Sequence, residues 1–193
     1  MQIFKKLSYV LVLLSSISLV AQESKFEKES RLKKGEFPKE LIQLLDSYLS
    51  ESDRVRFYEE QSSDGKTFEV KFTYNGNRYS IEFLENLNLQ DIEMEVQIDQ
   101  VDSYVMDAIQ DELKVFDKAK IEKCQVQFTS ENRTASEQIT SAINEQQGEV
   151  IKYELIVSGK KEKWKTYEML FDENGHLVSS KEVVKRSIDF ILY

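Results

Sequence analysis

The sequence predicts an α+β protein in which two tandem helix-plus-four-strand repeats form one curved antiparallel sheet with the helices on one face. Three observations lead to this fold class: an internal repeat, alternation of apolar and polar residues in several segments, and two apolar stripes at helical spacing. Residues 79–96 align without a gap on residues 167–184, 88 positions later, with six identities in eighteen. Self-similarity of this kind indicates a duplicated unit.

The first residues predict export from a bacterial cell. Residues 1–21 combine Lys5 and Lys6 with a short apolar run and small residues before a cleavage point near Ala21, as secretory signal peptides do. The run is shorter than the ~20 apolar residues of a membrane span, so we expect a periplasmic or secreted mature chain without a transmembrane segment. Residues 22–36 are charged and predict a flexible leader that contributes nothing to the core.

Residues 37–98 form the first predicted repeat. Phe37-Pro38 opens a helix, because proline is tolerated at the first helical position. The apolar stripe of that helix consists of Leu41, Leu44, Leu45 and Tyr48. Alternating apolar residues predict strands at 54–60, 68–74, 79–83 and 92–98. Asn75-Gly76 predicts a tight hairpin between the second and third strands, since both residues tolerate positive φ.

Residues 99–184 form the second predicted repeat. Asp99 is placed to cap its helix, and the strands are predicted at 121–128, 150–157, 164–171 and 177–184. An insertion at 130–148 carries apolar residues at helical spacing, and Gly148 is placed to end that helix. The insertion is either a functional clamp or a loop that packs on the sheet. Residues 185–193 predict an extra edge strand or a tether.

Charge and reactive residues exclude several classes of function. Removing residues 1–21 leaves 24 basic and 35 acidic residues, so the formal charge changes from −9 to −11, and such a surface repels nucleic acid. Cys124 is the single cysteine and lies in an apolar strand, where we expect a small buried side chain. His176 is the single histidine and lies in a turn, which leaves no histidine to activate a nucleophile elsewhere.

The sequence predicts neither a metal nor a cofactor, and no catalytic residues. Zinc needs clustered histidine or cysteine ligands, which the sequence lacks. Asp172-x-Asn174-Gly175 resembles the start of a calcium loop, but Val183 stands where the bidentate glutamate is needed. We therefore expect a non-catalytic protein.

The helix-free face of the sheet is the predicted recognition surface. Parity along the strands assigns to it Ile156, Trp164 and Leu170 in the second repeat, and Arg56 and Tyr58 in the first. Exposed apolar patches mark contact sites, and Trp, Tyr and Arg dominate binding hot spots. The alternative is that the C-terminal segment or the inserted helix covers this patch.

The repeated pattern resembles the PepSY-like family of exported bacterial proteins, whose fold is like that of β-lactamase inhibitor proteins. The residues that carry the resemblance are Phe37-Pro38, the hairpin at 68–76 and the segment 171–177 (Phe-Asp-Glu-Asn-Gly-His-Leu). The first repeat has Asn86-Leu87-Asn88 where the second has Asn174-Gly175-His176, so we expect a longer turn there. The resemblance implies a curved antiparallel sheet and a protein-binding or inhibitory role.

Together these observations predict an exported protein that binds an unknown protein or peptide of the cell envelope through the helix-free face, as an inhibitor or a chaperone does. Two alternatives stay open. An envelope hydrolase using carboxylates requires a deep pocket with two close carboxylates of raised pKa. A carrier of a small ligand or lipid requires an enclosed apolar cavity between the sheet and the helices.

Overall fold

The computed structural model describes residues 23–25, 28–62 and 65–183. The predicted signal peptide and C-terminal segment (185–193) lie outside the described residues. The described helices are α1 (Lys39–Leu49), α2 (Ser103–Glu112) and α3 (Ala135–Thr140), which continues into a π-helical turn at Ser141–Glu145. The strands are β1 (Glu23–Lys25), β2 (Lys28–Leu32), β3 (Asp53–Ser62), β4 (Gly65–Tyr74), β5 (Asn77–Leu84), β6 (Leu89–Glu95), β7 (Lys118–Thr129), β8 (Val150–Lys160), β9 (Trp164–Phe171) and β10 (Leu177–Val183).

One sheet contains all ten described strands, in the order β1-β10-β9-β8-β7-β6-β5-β4-β3-β2. Every pair is antiparallel except β1 with β10, so the α+β prediction is confirmed. The register aligns apolar side chains in rows across the strands. One such row is Tyr79, Met94, Val126, Tyr153 and Phe171. The arrangement as two repeats stays a prediction.

The N-terminal segment joins the two edges of this sheet. β1 pairs with β10 at one edge and β2 pairs with β3 at the other, although only residues 26–27 separate β1 from β2. Two residues span at most about 11 Å between Lys25 and Lys28, so the sheet must roll until its edges approach each other. The prediction that residues 22–36 are a flexible leader without core contacts is wrong, because they include two strands and Leu32 packs against the core.

The helices lie outside this roll. α1 places Leu41, Leu45 and Leu49 at helical spacing against the apolar side chains of β3–β6, and all three leucines are buried. Phe37 precedes the helix and fixes its start, with its ring centroid 4.9 Å from that of Phe57. On the face opposite the helices, the side chains of Gln125 and Gln127 are buried although no described helix packs on them, because the rolled sheet itself shields them. The helix-free face is therefore the inner, concave face.

α2 covers the second half of the sheet. Val105 and Ile109 on α2 pack against Leu155 and Met169 on the strands, and all four are buried. The helix begins at Ser103 after Asp102, so the predicted cap Asp99 is wrong: residues 98–100 form a separate 3₁₀ turn. The helix begins later than predicted because its position is determined by the apolar residues that it buries.

Cys124 lies in this second core, 3% exposed, which confirms the expectation of a small buried side chain. Burial raises the pKa of the thiol to about 11. Because the thiolate is the reactive species, we expect a disulfide-based thiol reagent at pH 8 to modify the native protein at least about a hundredfold more slowly than the denatured chain. Equal rates in buffer and in denaturant would contradict this prediction, and absorbance of the released thiol measures both.

The insertion packs on the sheet, but on the other half of the protein. Thr134 caps α3 by accepting a hydrogen bond from the backbone N–H of Glu137, and Glu137 in turn accepts one from Thr134. The buried side chains of Ile139 and Ile143 then join the core beneath α1, and the Tyr79 hydroxyl donates to the Ile143 carbonyl. The π-helical turn ends at Gln146 (φ 54°) and not at Gly148 as predicted.

The turns before β6 and β10 have the same hydrogen bonds 88 residues apart. The N–H of Asp172 donates to His176 O, and Gly175 N–H donates back to Asp172 O. In the turn before β6, the N–H of Leu84 donates to Asn88 O, and the N–H of Leu87 donates back to Leu84 O. Leu87 (φ 67°) occupies the left-handed position of Gly175 (φ 82°), so the expectation of a longer turn in the first half is wrong.

Candidate functional site

The helix-free face carries mostly charged and polar side chains, and all three described helices pack on the opposite face. Each strand contributes alternate residues to it, paired across the sheet by the register. One row runs through Glu95, Gln125, Glu154, Leu170 and Ser179 on β6–β10. The parity of the strands therefore assigned these residues to the helix-free face correctly.

A concavity of about 280 Å³ lies on this face over strands β3–β7. We call it the basic pocket, because its lining includes five cationic side chains and one carboxylate, that of Glu95. The five cations are Arg54, Arg56, Lys71, Arg78 and Lys123. Ser80 and Gln125, both buried, contribute polar groups to its floor. The pocket is positively charged although the chain as a whole has a net charge of −9.

Arg54 reaches the pocket through an irregularity in β3. The register between β3 and β4 shifts between Asp53 and Arg56, and Arg54 adopts a left-handed backbone with φ 54°. Left-handed backbone costs a non-glycine residue about 1 kcal/mol or more, and bulges of this kind redirect side chains near binding sites. The bulge therefore places two arginines, Arg54 and Arg56, at the same pocket.

Two of the pocket's cations have carboxylate partners. Nη1 of Arg78 donates to both carboxylate oxygens of Glu95, at 2.9 and 3.1 Å. Lys71 Nζ lies 2.7 Å from a carboxylate oxygen of Glu69 and 4.8 Å from the ring centroid of Tyr58. Burial lowers the pKa of Lys71, but the neighbouring carboxylates outweigh burial and raise it overall. Lys71 therefore stays positively charged under the pocket.

A carboxylate cluster lies beside the basic pocket on the same face. Glu69, Glu82 and Asp91 stand directly opposite one another on β4, β5 and β6, an arrangement that destabilises a sheet when all three are charged. Glu93 follows Asp91 on the same face of β6. Hydrogen bonds relieve part of this repulsion. Ser80 donates to Glu69, Gln90 to Glu82 at 2.8 Å, Gln125 to Glu93 at 2.7 Å, and Gln127 to Asp91 at 3.4 Å.

Asp91 and Glu93 are the most perturbed carboxyl groups of the cluster. Burial first, and then the charges of Glu82, Glu154 and Glu69, raise the pKa of Asp91 well above its usual value. Burial and the neighbouring Asp91 raise the pKa of Glu93 to about 8, against the opposing effect of Lys123. At neutral pH Glu93 therefore keeps its proton, which reduces the negative charge on the inner face of the sheet.

The predicted site residues fall into two groups. Arg56 lines the basic pocket and Tyr58 lies under Lys71, so these two belong to the same site. Ile156 pairs with Lys123 at the other side of the pocket, and Leu170 pairs with Glu154. Both aliphatic side chains are half-buried.

Trp164 lies apart from this site. It pairs with Lys160 at the start of β9, is 53% exposed, and is six residues from Leu170 along the strand, or about 20 Å. The continuous apolar patch that the sequence predicted is therefore divided. The inserted helix does not cover the patch, because α3 packs on the other face of the sheet.

Sequence reasoning missed the basic pocket and the buried carboxylates. Arg54, Arg78 and Lys123 are far apart in sequence and each is a common surface residue, so only the strand register brings them together. The one available signal was parity: Asp91 and Glu93 alternate with the core residues Ile92 and Met94, which places both acids on the helix-free face.

The remaining candidate residues are structural. Asp172 accepts hydrogen bonds from the backbone of His176 at 2.8 Å and Asn174 at 2.9 Å, and these bonds, the one from His176 foremost, lower the pKa of Asp172. His176 is exposed at that turn. In the described part of the chain, no three His, Cys, Asp or Glu side chains are arranged to hold a metal ion. None of the described helices is long and apolar enough to cross a membrane.

Comparison with known proteins leaves the function open. No family model matches the chain and no curated protein matches its sequence, so the PepSY-like resemblance stays a prediction. Among solved structures, the chain is similar to a BLIP-like protein from Bacteroides fragilis, at 14% identity and a TM-score of 0.47. The match covers 79% of this chain and 90% of that one. Similarity at this level assigns no function.

Proposed function

We propose that this protein is an exported, non-catalytic binding protein that recognises a protein or peptide through the helix-free face. The observation that carries the proposal is the basic pocket of about 280 Å³, set in a concave face on which no described helix packs. A concave surface suits a protruding loop or an extended peptide, and buried polar groups on its floor provide orientation. Half-buried Ile156 and Leu170 beside the pocket supply apolar contact area.

A carboxylate-dependent hydrolase is the second candidate, favoured by the raised pKa values of Asp91 and Glu93. Both groups accept a hydrogen bond from a glutamine side chain, and neither lines the basic pocket. The two candidates separate with Glu93→Gln and Asp91→Asn. A hydrolase loses cleavage of its target in both variants, whereas a binding protein leaves its target intact and keeps its affinity. Mass spectrometry of the target after incubation reports cleavage.

A carrier function has less support, because aromatic side chains fill the space between α1 and the sheet. The ring centroid of Phe37 lies 5.8 Å from that of Phe68, and that of Tyr48 lies 5.5 Å from that of Tyr74. The interior that a lipid would need is occupied by the core itself.

The test uses the full mature chain as bait for proteins of the envelope and medium, followed by calorimetry with the purified partner. We expect the double variant Ile156→Ala with Leu170→Ala to weaken binding about thirtyfold or more, since each truncation removes about 1 kcal/mol of apolar contact or more. Trp164→Ala tests whether the recognition surface extends along β9 to its exposed end.

Tyr104→Ala is the matched control for Trp164→Ala. Tyr104 is also an exposed aromatic residue (61%) but lies on α2, on the outer side of the roll. A partner whose affinity falls with Tyr104→Ala and is unchanged by the substitutions on the helix-free face would contradict the proposal.

A further inference from the structure

We propose that the basic pocket binds the carboxylate of an acidic side chain, aspartate or glutamate, presented by a peptide segment of the partner. This inference rests on the proposed function and names the chemistry that the site recognises. The pocket would hold the anion between the guanidinium groups of Arg54 and Arg56, with Lys71 beneath.

Two of the cations at the basic pocket, Arg54 and Arg56, have uncompensated charge. Arg78 and Lys71 have carboxylate partners, but within residues 28–62 and 65–183 neither Arg54 nor Arg56 forms an ion pair. Two guanidinium groups without carboxylate partners at one pocket repel each other. A bound anion would neutralise both, and inside a concave wall this interaction is stronger than on a flat surface.

The backbone geometry of β3 also places Arg54 at the pocket. Arg54 lies in the left-handed region at a register shift, a conformation that a non-glycine residue adopts at a cost of about 1 kcal/mol or more. Regular pairing along β3 would point residue 54 to the same face as Arg56 but farther along the strand. The bulge instead keeps both arginines, which are exposed, at the wall of one pocket.

The carboxylates around the pocket favour a small monoanion over larger anions. Glu95 lines the pocket, and Glu69 lies beside it. These carboxylates repel a phosphate dianion, a nucleic acid backbone or an anionic membrane more than they repel a single compact charge. The planar fork of arginine also matches a carboxylate with two parallel hydrogen bonds. A monoanionic side chain between two arginines therefore fits the local charge best.

The surface next to the basic pocket has space for a peptide. A second concavity of about 260 Å³ shares Glu95 and Lys123 with the basic pocket and continues between β6 and β7. The exposed side chain of Ile98 and the half-buried Ile121 lie along it. A peptide flanking the bound carboxylate would have both backbone space and apolar contact there. An isolated ion would use only the first concavity.

The experiment titrates the mature protein with two capped pentapeptides, acetyl-Ala-Ala-Glu-Ala-Ala-amide and its Gln counterpart, and separately with inorganic phosphate. The side-chain Nε–H signals of the arginines report binding by NMR. We expect saturable shifts of the Arg54 and Arg56 signals with the Glu peptide and none with the Gln peptide. Arg54→Gln with Arg56→Gln should weaken the Glu peptide at least about tenfold, because hydrogen bonds to a charged group are lost.

The matched control removes the same charge from the outer side: Lys39→Gln on α1 with Lys114→Gln after α2, both exposed. Equal weakening by the two double variants would show a diffuse charge effect and overturn the proposal. Equal binding of the Glu and Gln peptides, tighter binding of phosphate, or no saturable shift would also overturn it. Binding of the protein partner is tested separately with the Ile156→Ala and Leu170→Ala substitutions. If these weaken partner binding while the Glu peptide does not bind, the proposed function is supported and only the carboxylate site is rejected.

Discussion

Replacing Gly175 with alanine is expected to destabilise the protein by about 3 kcal/mol or more. Gly175 has φ 82°, a backbone region that an L side chain adopts only with strain. A Cβ atom at this position would lie 2.5 Å from the Val105 carbonyl oxygen and 2.9 Å from the Ala108 Cβ. The turn before β10 is seated directly on α2, so relieving this overlap requires the helix to move from the sheet.

Gly76→Ala is the control that separates the two causes. Gly76 has nearly the same φ, 83°, but a Cβ there would meet no atom within 4 Å. Its substitution should cost about 1–2 kcal/mol, from backbone strain alone. Chemical denaturation of both variants gives the two free energies of unfolding. Equal losses would mean that the contact between the turn and α2 contributes nothing beyond the conformation of Gly175.

Replacing Glu93 with glutamine is expected to remove a loss of stability that the wild-type protein suffers as the pH rises. The pKa of Glu93 is raised from 4.5 to about 8 on folding, by burial and by the neighbouring Asp91. Between these values the folded protein binds more protons at Glu93 than the unfolded chain does. The free energy of unfolding therefore falls as the pH increases through this window.

The glutamine side chain is neutral at every pH and can still accept the hydrogen bond that Gln125 donates to Glu93. We expect the variant and the wild type to differ little near pH 5, and the variant to be more stable by on the order of 2 kcal/mol near pH 8. Glu40→Gln on the exposed side of α1 is the control and should follow the wild type throughout. Parallel stability curves for Glu93→Gln and the wild type would contradict the prediction.

The sequence predicted those features that depend on local periodicity. The alternation in residues 68–74 gave β4, the leucine stripe gave α1, and parity assigned Arg56 and Leu170 to the face without helices. These patterns succeed because a strand or helix places its side chains by counting alone.

Features that depend on distant contacts escaped prediction. The charged segment at 22–36 has no apolar alternation, yet β2 finds backbone partners on β3, for which side-chain pattern is irrelevant. Leu87 adopts the left-handed conformation that sequence reasoning reserves for glycine, because the same two hydrogen bonds close the turn. The basic pocket combines residues from β3 to β7, and no spacing in a single segment encodes it.

The packing of α3 against the core beneath α1 also constrains the order in which the protein can fold. The core beneath α1 needs Ile139, Ala142 and Ile143, which are synthesised after all of β3–β7. A chain that ends before residue 130 contains every strand of its own half but leaves an apolar groove beside α1 open to water. Such a fragment has transiently exposed hydrophobic surface of the kind that leads to aggregation. A chain that is synthesised from its N-terminus therefore acquires a closed first core only after residues 139–143 have followed.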